Sequence, residues 1–265
     1  MRTILLTSFL TSIITAPAAL AIDLIGQTTS KSPQKIVAEV SGVVESTSAQ
    51  RGDFINAGQT IASIKQQDFI LELAKQKANV SLAEADLQLK NSIYKRYIEL
   101  REKKSISPNE LDIAKADYLS AQAQLELAKV ELQKAELDLK NTQIQSNIQG
   151  HIVMRSVDSG AWVNQGDLLY TVVNIDTLNV ELLASEHDLD ELTIGQPVEL
   201  WAESVPGQTL TGKIKRIGVE MDAQTLAYPV EIEIANPSGA FKPGMSIHAT
   251  TTLSSAAASN SAISQ

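Results

Sequence analysis

Residues Gly42–Ile64 read GVVESTSAQRGDFINAGQTIASI, and residues Gly150–Val172 read GHIVMRSVDSGAWVNQGDLLYTV. The second copy begins 108 residues after the first, and the two share one frame. Gly42, Gly52 and Gly58 are spaced ten and six, as are Gly150, Gly160 and Gly166. Apolar positions match as well: Val44 with Ile152, Ile55 with Val163, Ile61 with Leu169. Each copy reads as short strands joined by tight turns, with Gly52 and Gly58 where a positive φ is needed. A unit of ~30 residues cannot bury a core of its own. The two copies must therefore pair, and the chain between them must leave and return to the same place.

That intervening chain has its own period. Between Gly58 and Gly150 lie 91 residues with no glycine and one proline, Pro108. Turn residues this sparse predict two long regular elements and one turn. Leu111, Tyr118, Leu125, Leu132 and Leu139 recur every seven residues, and Ala114, Ala121, Ala128 and Ala135 follow three later each time. This is a heptad with large residues at a and alanine at d. Before Pro108, Leu73, Val80, Leu87 and Tyr94 repeat every seven, with Gln76, Ala83, Lys90 and Tyr97 at d. A sustained seven-residue period predicts a left-handed supercoil. The 12 basic and 13 acidic residues from Asp68 to Lys140 nearly cancel, as solvated faces of a two-stranded coil would. The turn is specified locally. Ser107, Pro108 and Glu110 form an N-cap serine, an N1 proline and an N3 glutamate, a capping box. The first helix is expected to end near Lys104, where Arg101, Lys103 and Lys104 complement its C-terminal dipole. Each arm of ~35 residues spans ~50 Å at the helical rise.

The whole chain has 265 residues, 8 prolines, no cysteine and a formal charge of -9. Without cysteine there is no disulfide scaffold, thiol nucleophile or thiolate metal site, and no lipoprotein anchor. The acidic balance opposes general nucleic-acid binding, which needs clustered Lys and Arg. Arg2, the apolar stretch from Ile4 to Ala16 and the Ala19-Leu20-Ala21 site read as a cleavable export signal over 1–21. An uncleaved membrane anchor is the alternative, disfavoured by the threonines and serines in the apolar stretch. Residues 22–35 are polar and expected as a linker, and the Ala/Ser/Asn-rich tail 254–265 as disordered.

Beyond the second repeat the chain reads as β. Strands are expected at 179–184, 197–202, 213–219, 230–234 and 247–253, with a short helix capped near Ser185 and a turn over Phe241–Met245. Asp176 to Glu203 holds eight acids and no Lys or Arg, which reads first as a solvated face. Catalytic and metal-binding arrangements are missing. His187 and Glu191 are four apart, but His151 and His248 lie in distant segments, and zinc needs three or four converging ligands. No phosphate loop or nucleophile motif occurs. Trp162 and Trp201 are expected to be buried, and Met154, Met221 and Met245 to fill core or turns. No catalytic residue, cofactor or metal is expected, and the protein is read as not an enzyme.

The repeat, the heptads and the capped turn together resemble the periplasmic adaptors, or membrane fusion proteins, of tripartite efflux and secretion systems. The resemblance covers roughly Ile36 to Leu253. It implies a mixed, multi-domain fold: a split lipoyl/biotinyl-like β-sandwich interrupted by an antiparallel α-helical coiled-coil hairpin, then a small β-barrel. On this frame the lipoyl-like halves are 36–67 and 142–175, the hairpin is 68–141 with its tip near 104–108, and the barrel is 176–253. Family members that dock on a TolC-type outer-membrane channel carry Arg, Leu and Ser at the tip with the spacing found here in Arg96, Leu100 and Ser107. Lipoyl domains carry a modified lysine between their halves; Lys65 lies nearest, but the helical insertion replaces that tip, so an unmodified lysine is expected. Ser146-Asn147-Ile148-Gln149 stands where the family often has Ala-Pro, and the membrane-proximal domain of many members is expected to be absent. The resemblance implies an inner-membrane transporter, a TolC-like channel and a ring of identical subunits, hexameric in the family, as partners. The expected location is the periplasm. A resistance-nodulation-division pump is the leading transporter class, with an ABC exporter or type I secretion system as alternative. A structural periplasmic coiled-coil protein without transport role is the rival from another class.

Overall fold

The computed structural model describes residues 22–251. The expected export signal over 1–21 and the tail over 254–265 lie outside the described residues. Two units emerge: residues 32–174, and a second that, among the described residues, comprises 22–31 and 175–251.

In the first unit the repeat folds as foreseen, and the strand pairing explains why one copy needs the other. The first copy forms β3 (Gly42–Thr47), β4 (Phe54–Ile55) and β5 (Thr60–Ile64); the second forms β7 (Gly150–Arg155), β8 (Trp162–Val163) and β9 (Leu168–Val173). With β2 (Gln34–Val37) and β6 (Gln143–Gln145) they make two sheets, ordered β2-β9-β7-β4 and β6-β5-β3-β8. Each copy lends its short central strand to the other's sheet. Gly42 pairs with Val163 and Val43 with Trp162; Gly150 pairs with Ile55 and His151 with Phe54. Adding 108 to one pair yields the other, so the halves are related by a pseudo-two-fold. Turn contacts obey the same rule. The Gly52 N–H donates to Ile152 O at 2.8 Å and Gly160 N–H to Val44 O at 2.7 Å; Gly58 N–H donates to Ser146 O at 2.7 Å and Gly166 N–H to Ala38 O at 2.8 Å.

The glycine triplets divide by role. Gly52, Gly58, Gly160 and Gly166 all have positive φ, between 79° and 97°. The leading members are held by space instead. A Cβ at Gly150 would stand 2.3 Å from Val173 O, and one at Gly42 2.7 Å from Ile64 Cγ2. Between the sheets, Ile55, Ile61, Ile64, Ile152, Leu169 and Tyr170 are fully buried, each large apolar side chain contributing about 1.5–3 kcal/mol relative to exposure.

Helices α1 (Gln67–Glu102) and α2 (Pro108–Asn141) leave this sandwich between β5 and β6 and run side by side. At the base, Gln66 Nε2 donates to Thr142 Oγ1 at 2.9 Å. Further out, Tyr94 stacks on Tyr118 with centroids 5.6 Å apart. Occlusion along α1 follows the heptad: residues 73, 76, 80, 83, 87, 90, 94 and 97 are each partly covered. The buried residues of α2 are Ala114, Ala121, Leu125 and Ala135, all predicted seam positions. Alanine at d allows this, because its short side chain lets the backbones approach.

The second unit is a closed six-stranded barrel, ordered β1-β10-β13-β12-β11-β14. It uses β1 (Asp23–Ser30), β10 (Thr177–Ala184), β11 (Pro197–Trp201), β12 (Thr209–Ile217), β13 (Tyr228–Ala235) and β14 (Ser246–Thr250). Alternate residues of each long strand face inward: Leu178, Val180 and Leu182 on β10, Val230, Ile232 and Ile234 on β13. The expected C-terminal strands are present within a few residues, except that the region after Ser185 forms only a 3₁₀ turn, Leu189–Glu191. Ser185 and Asp188 close that turn through the Asp188 carboxylate, at 2.9 Å from Ser185 N.

The expected linker 22–35 is a correction. Residues 23–30 are a strand of the barrel and Gln34–Val37 a strand of the sandwich. Asp23–Ser30 reads as polar because only Leu24 and Thr28 of its inward positions are fully covered, and Thr28 is itself polar. Its hydroxyl donates to Lys242 O at 2.6 Å and accepts from Met245 N–H at 3.0 Å, so β1 anchors the turn at 241–245. At Gly26 a Cβ would lie 1.9 Å from Glu181 O, so the β1–β10 approach requires glycine there.

Candidate functional site

The end of the hairpin is built from two interlocking caps. α1 stops at Glu102. Lys104 has φ 55°, the left-handed conformation. The Ser105 N–H donates to Leu100 O at 2.9 Å and the Lys104 N–H to Arg101 O at 2.9 Å. These are the two bonds of a Schellman motif, with lysine in the position glycine usually takes. Three residues later α2 begins. Glu110 N–H donates to Ser107 Oγ at 3.3 Å, and Ser107 N–H donates back to Glu110 Oε2 at 2.8 Å, with Pro108 at the first helical position. The Ser107 backbone N–H, then its hydroxyl contact, hold the Glu110 carboxyl below its usual range. Arg101 Nη1 reaches across the turn to Ile106 O at 3.3 Å. The five-residue turn is thus closed from both helices, which gives a stiff tip rather than a loose loop.

On this tip, Arg96 is exposed, Leu100 is half-buried and Ser107 is exposed. Arg96 and Leu100 are one turn apart on α1, so their side chains share a face. Ser107 caps the other helix, across the turn. A guanidinium free to form forked bonds, a half-covered apolar knob and a small hydroxyl make a surface suited to meeting another helical end. The sequence reading missed the left-handed Lys104 and the Arg101–Ile106 bridge. Neither carries a compositional signal, since lysine has no preference for that backbone conformation.

Other candidates lie elsewhere. Lys65 is exposed between β5 and α1. His187 and Glu191 are both exposed on the barrel. Trp162, expected to be buried, is 64% exposed. It faces outward from β8 while its neighbour Val163 fills the core, and its indole N–H donates to Asn164 Oδ1 at 3.3 Å. Trp201 stacks on His248 at 5.7 Å between ring centroids. Met154 and Met221 are partly exposed rather than core fillers, because β7 turns Ile152 inward and Met221 sits in the loop after β12. No described helix is long and apolar enough to cross a membrane.

Comparison with known proteins assigns the class. The model of the CzcB-like barrel-sandwich hybrid domain matches residues 32–174, and that of the CusB-like β-barrel domain matches residues 178–255. The chain belongs to the membrane fusion protein family, the periplasmic adaptors. It is 28% identical over 222 residues to the nodulation protein NolF of Rhizobium meliloti, covering 84% of this chain and 60% of that one. It is 27% identical over 249 residues to the multidrug export protein AcrE of Escherichia coli, covering 89% and 65%. The chain therefore spans less than two thirds of these curated relatives. Among solved structures, the membrane fusion protein Spr0693 of Streptococcus pneumoniae shares the fold with a TM-score of 0.68 and 20% identity, over 86% of this chain and 97% of that one.

Proposed function

We propose that this chain is the periplasmic adaptor of a tripartite export system, joining an inner-membrane transporter of the resistance-nodulation-division type to a TolC-like outer-membrane channel. The observation that carries the reading is the pseudo-two-fold sandwich whose halves are split by two long heptad-patterned helices. An insertion of ~50 Å per arm is long enough to bridge a gap. In this reading α1 and α2 form a supercoiled, antiparallel coiled-coil hairpin, and the docking residues at its end are Arg96, Leu100 and Ser107. Sandwich and barrel pack against neighbouring copies and the transporter, and six copies close a ring. The protein is not an enzyme and uses no cofactor. Its relative AcrE is named for multidrug export, and a pump of that kind selects the substrate while the adaptor supplies reach and seal. The protein is exported to the periplasm and held at the inner membrane by its partners.

The test uses the natural absence of cysteine. A cysteine at Arg96 or Leu100 is expected to crosslink in intact cells to an outer-membrane channel, identified by mass spectrometry. No channel adduct, together with unchanged drug sensitivity on deletion, would overturn the adaptor reading. Ser107→Asp separates its two roles. Aspartate keeps the cap, so the fold survives, while the changed charge weakens the adduct from Leu100→Cys.

A further inference from the structure

The outside of the barrel is two-sided in charge. All Lys and Arg of its strands lie on β12, as Lys213, Lys215 and Arg216. Arg216 is paired with Glu231 and Lys215 with Glu233, both on the neighbouring β13. The other four strands, β10, β1, β14 and β11, follow one another around the barrel in that order. They hold no Lys or Arg and three acids, Asp23, Glu181 and Glu199.

The same four strands carry an apolar strip on their outward side. Leu183 is the cross-strand partner of Ile25, Ile25 of His248, and His248 of Trp201. Their sequence neighbours Leu182, Leu24, Ile247 and Leu200 fill the barrel core, so strand alternation turns the four outward. Ile25 is 56% exposed and Leu183 38%. A contiguous apolar strip on the outer face of a sheet marks a contact surface.

At one end of the strip the surface is concave. A groove of about 390 Å³ is lined by Ile25, Leu183, Gln27, Glu181, Thr225 and Ser246, with Gly244. The segments that border it are fixed. In the loop 218–227 the Asp222 carboxylate accepts from Gln224 N–H at 2.7 Å and from Thr225 N–H at 3.0 Å, and Leu226 N–H donates to Asp222 O at 2.8 Å. In the turn before β14, Gly244 N–H donates to Thr28 O at 2.7 Å. The groove is therefore preformed, and its volume suits one small organic molecule.

The chemistry of the lining selects a class of ligand. Ile25 and Leu183 offer an apolar bed. The Glu181 carboxylate is exposed, with no hydrogen bond or ion pair among the described residues. Gln27 and Ser246 add uncharged polar atoms, and no Lys or Arg lines the groove. Lys242, two residues before Gly244, is exposed and outside the lining. A neutral apolar molecule leaves Glu181 unused, and an anion meets it with no compensating cation. An apolar molecule that carries a positive charge satisfies both features.

We propose that this groove binds small amphiphilic organic cations, with the apolar body on Ile25 and Leu183 and the positive group at Glu181. The adaptor reading leaves substrate choice to the transporter. The groove adds a ligand site on the adaptor's own barrel, separate from the hairpin tip.

Tetraphenylphosphonium and tetraphenylborate share a shape and differ in the sign of their charge. Calorimetric titration of each into the purified chain separates charge from apolarity. Saturable binding of one phosphonium per chain is expected, with the borate roughly tenfold weaker or more. Glu181→Gln is expected to remove that preference and Glu181→Lys to reverse it. Ile25→Thr keeps strand propensity and is expected to weaken both ions roughly fivefold. All three replace outward side chains, and thermal melts verify that the barrel is folded. Phe54→Ala and Trp162→Ala, at exposed aromatic residues of the sandwich, are expected to leave binding unchanged. Equal affinity for the two ions, a phosphonium preference that survives Glu181→Lys, or loss of binding in Trp162→Ala overturns the site. Absence of saturable binding also overturns it, and capture of another protein by Ile25→Cys in intact cells would then make the strip a protein contact. These readouts are independent of the channel adduct at the tip, so the adaptor reading stands or falls separately.

Discussion

The ring of Tyr94 lies on the ring of Tyr118, planes 15° apart, and this stack fixes the register of the two long helices. Stepping seven residues at a time places Leu87 level with Leu125, Val80 with Leu132 and Leu73 with Leu139. The tyrosines are the outermost of these layers, near the tip, where the helices have least support from the sandwich. Tyr118→Ala is expected to destabilise the hairpin by about 1–3 kcal/mol through lost stacking and burial. Tyr118→Leu restores most of it, because leucine fills every other α2 position of these layers. Chemical denaturation followed by helical circular dichroism reads both, and a leucine variant as weak as the alanine one would show that the stack is not what holds the layer.

Lys104 occupies a backbone conformation that disfavours any side chain. Lys104→Gly is therefore expected to raise stability by about 0.5–1 kcal/mol. Ser107→Ala is expected to lower it by about 1 kcal/mol through loss of the N-cap. Urea titration of both variants measures the pair; opposite signs are the required outcome.

Glycines with different roles in the repeat respond unequally to alanine. Gly150→Ala drives a Cβ to 2.3 Å from Val173 O, a backbone atom in a sheet, and the strands β7 and β9 must separate. The expected loss is at least about 2 kcal/mol. At Gly52 the added carbon meets nothing within 4 Å, so only the φ of 97° opposes it, with an expected loss of about 1 kcal/mol. Thermal melts that rank Gly52→Ala below Gly150→Ala would contradict this account.

Glu233 on β13 accepts from Lys215 on β12 and from Lys31 just after β1. The Lys215 contact first, then Lys31, holds its carboxyl down to about 2, from 4.5. The folded value is depressed, so this stabilisation is present above pH 4.5 and is lost as pH falls from there toward 2. Glu233→Gln is expected to flatten the melting-temperature profile of the barrel across that window and lower it at neutral pH. An unchanged acid limb in the variant would remove Glu233 from the account.

Much of this architecture is legible in one dimension because the signals are periodic. The triplets Gly42/52/58 and Gly150/160/166 announce two copies of one β unit. The leucine and alanine heptads announce paired helices, and Ser107, Pro108 and Glu110 announce the turn. Each is a local or repeating requirement. β1 was not legible: its inward side alternates over only a few residues, and Thr28 is buried because of what faces it, Lys242 and Met245, more than two hundred positions away. Trp162 was misread for the same reason, since a two-residue strand has no period from which to tell inside from outside.

The sequence alone determined the repeated β unit, the inserted hairpin and its capped end, because backbone conformation at glycine, proline and cap positions depends on near neighbours. Tertiary structure alone decided that the first copy's β4 joins the second copy's sheet and that β1 closes the barrel. Those outcomes depend on which surfaces meet, and strand pairing between distant segments leaves no period in the chain to read.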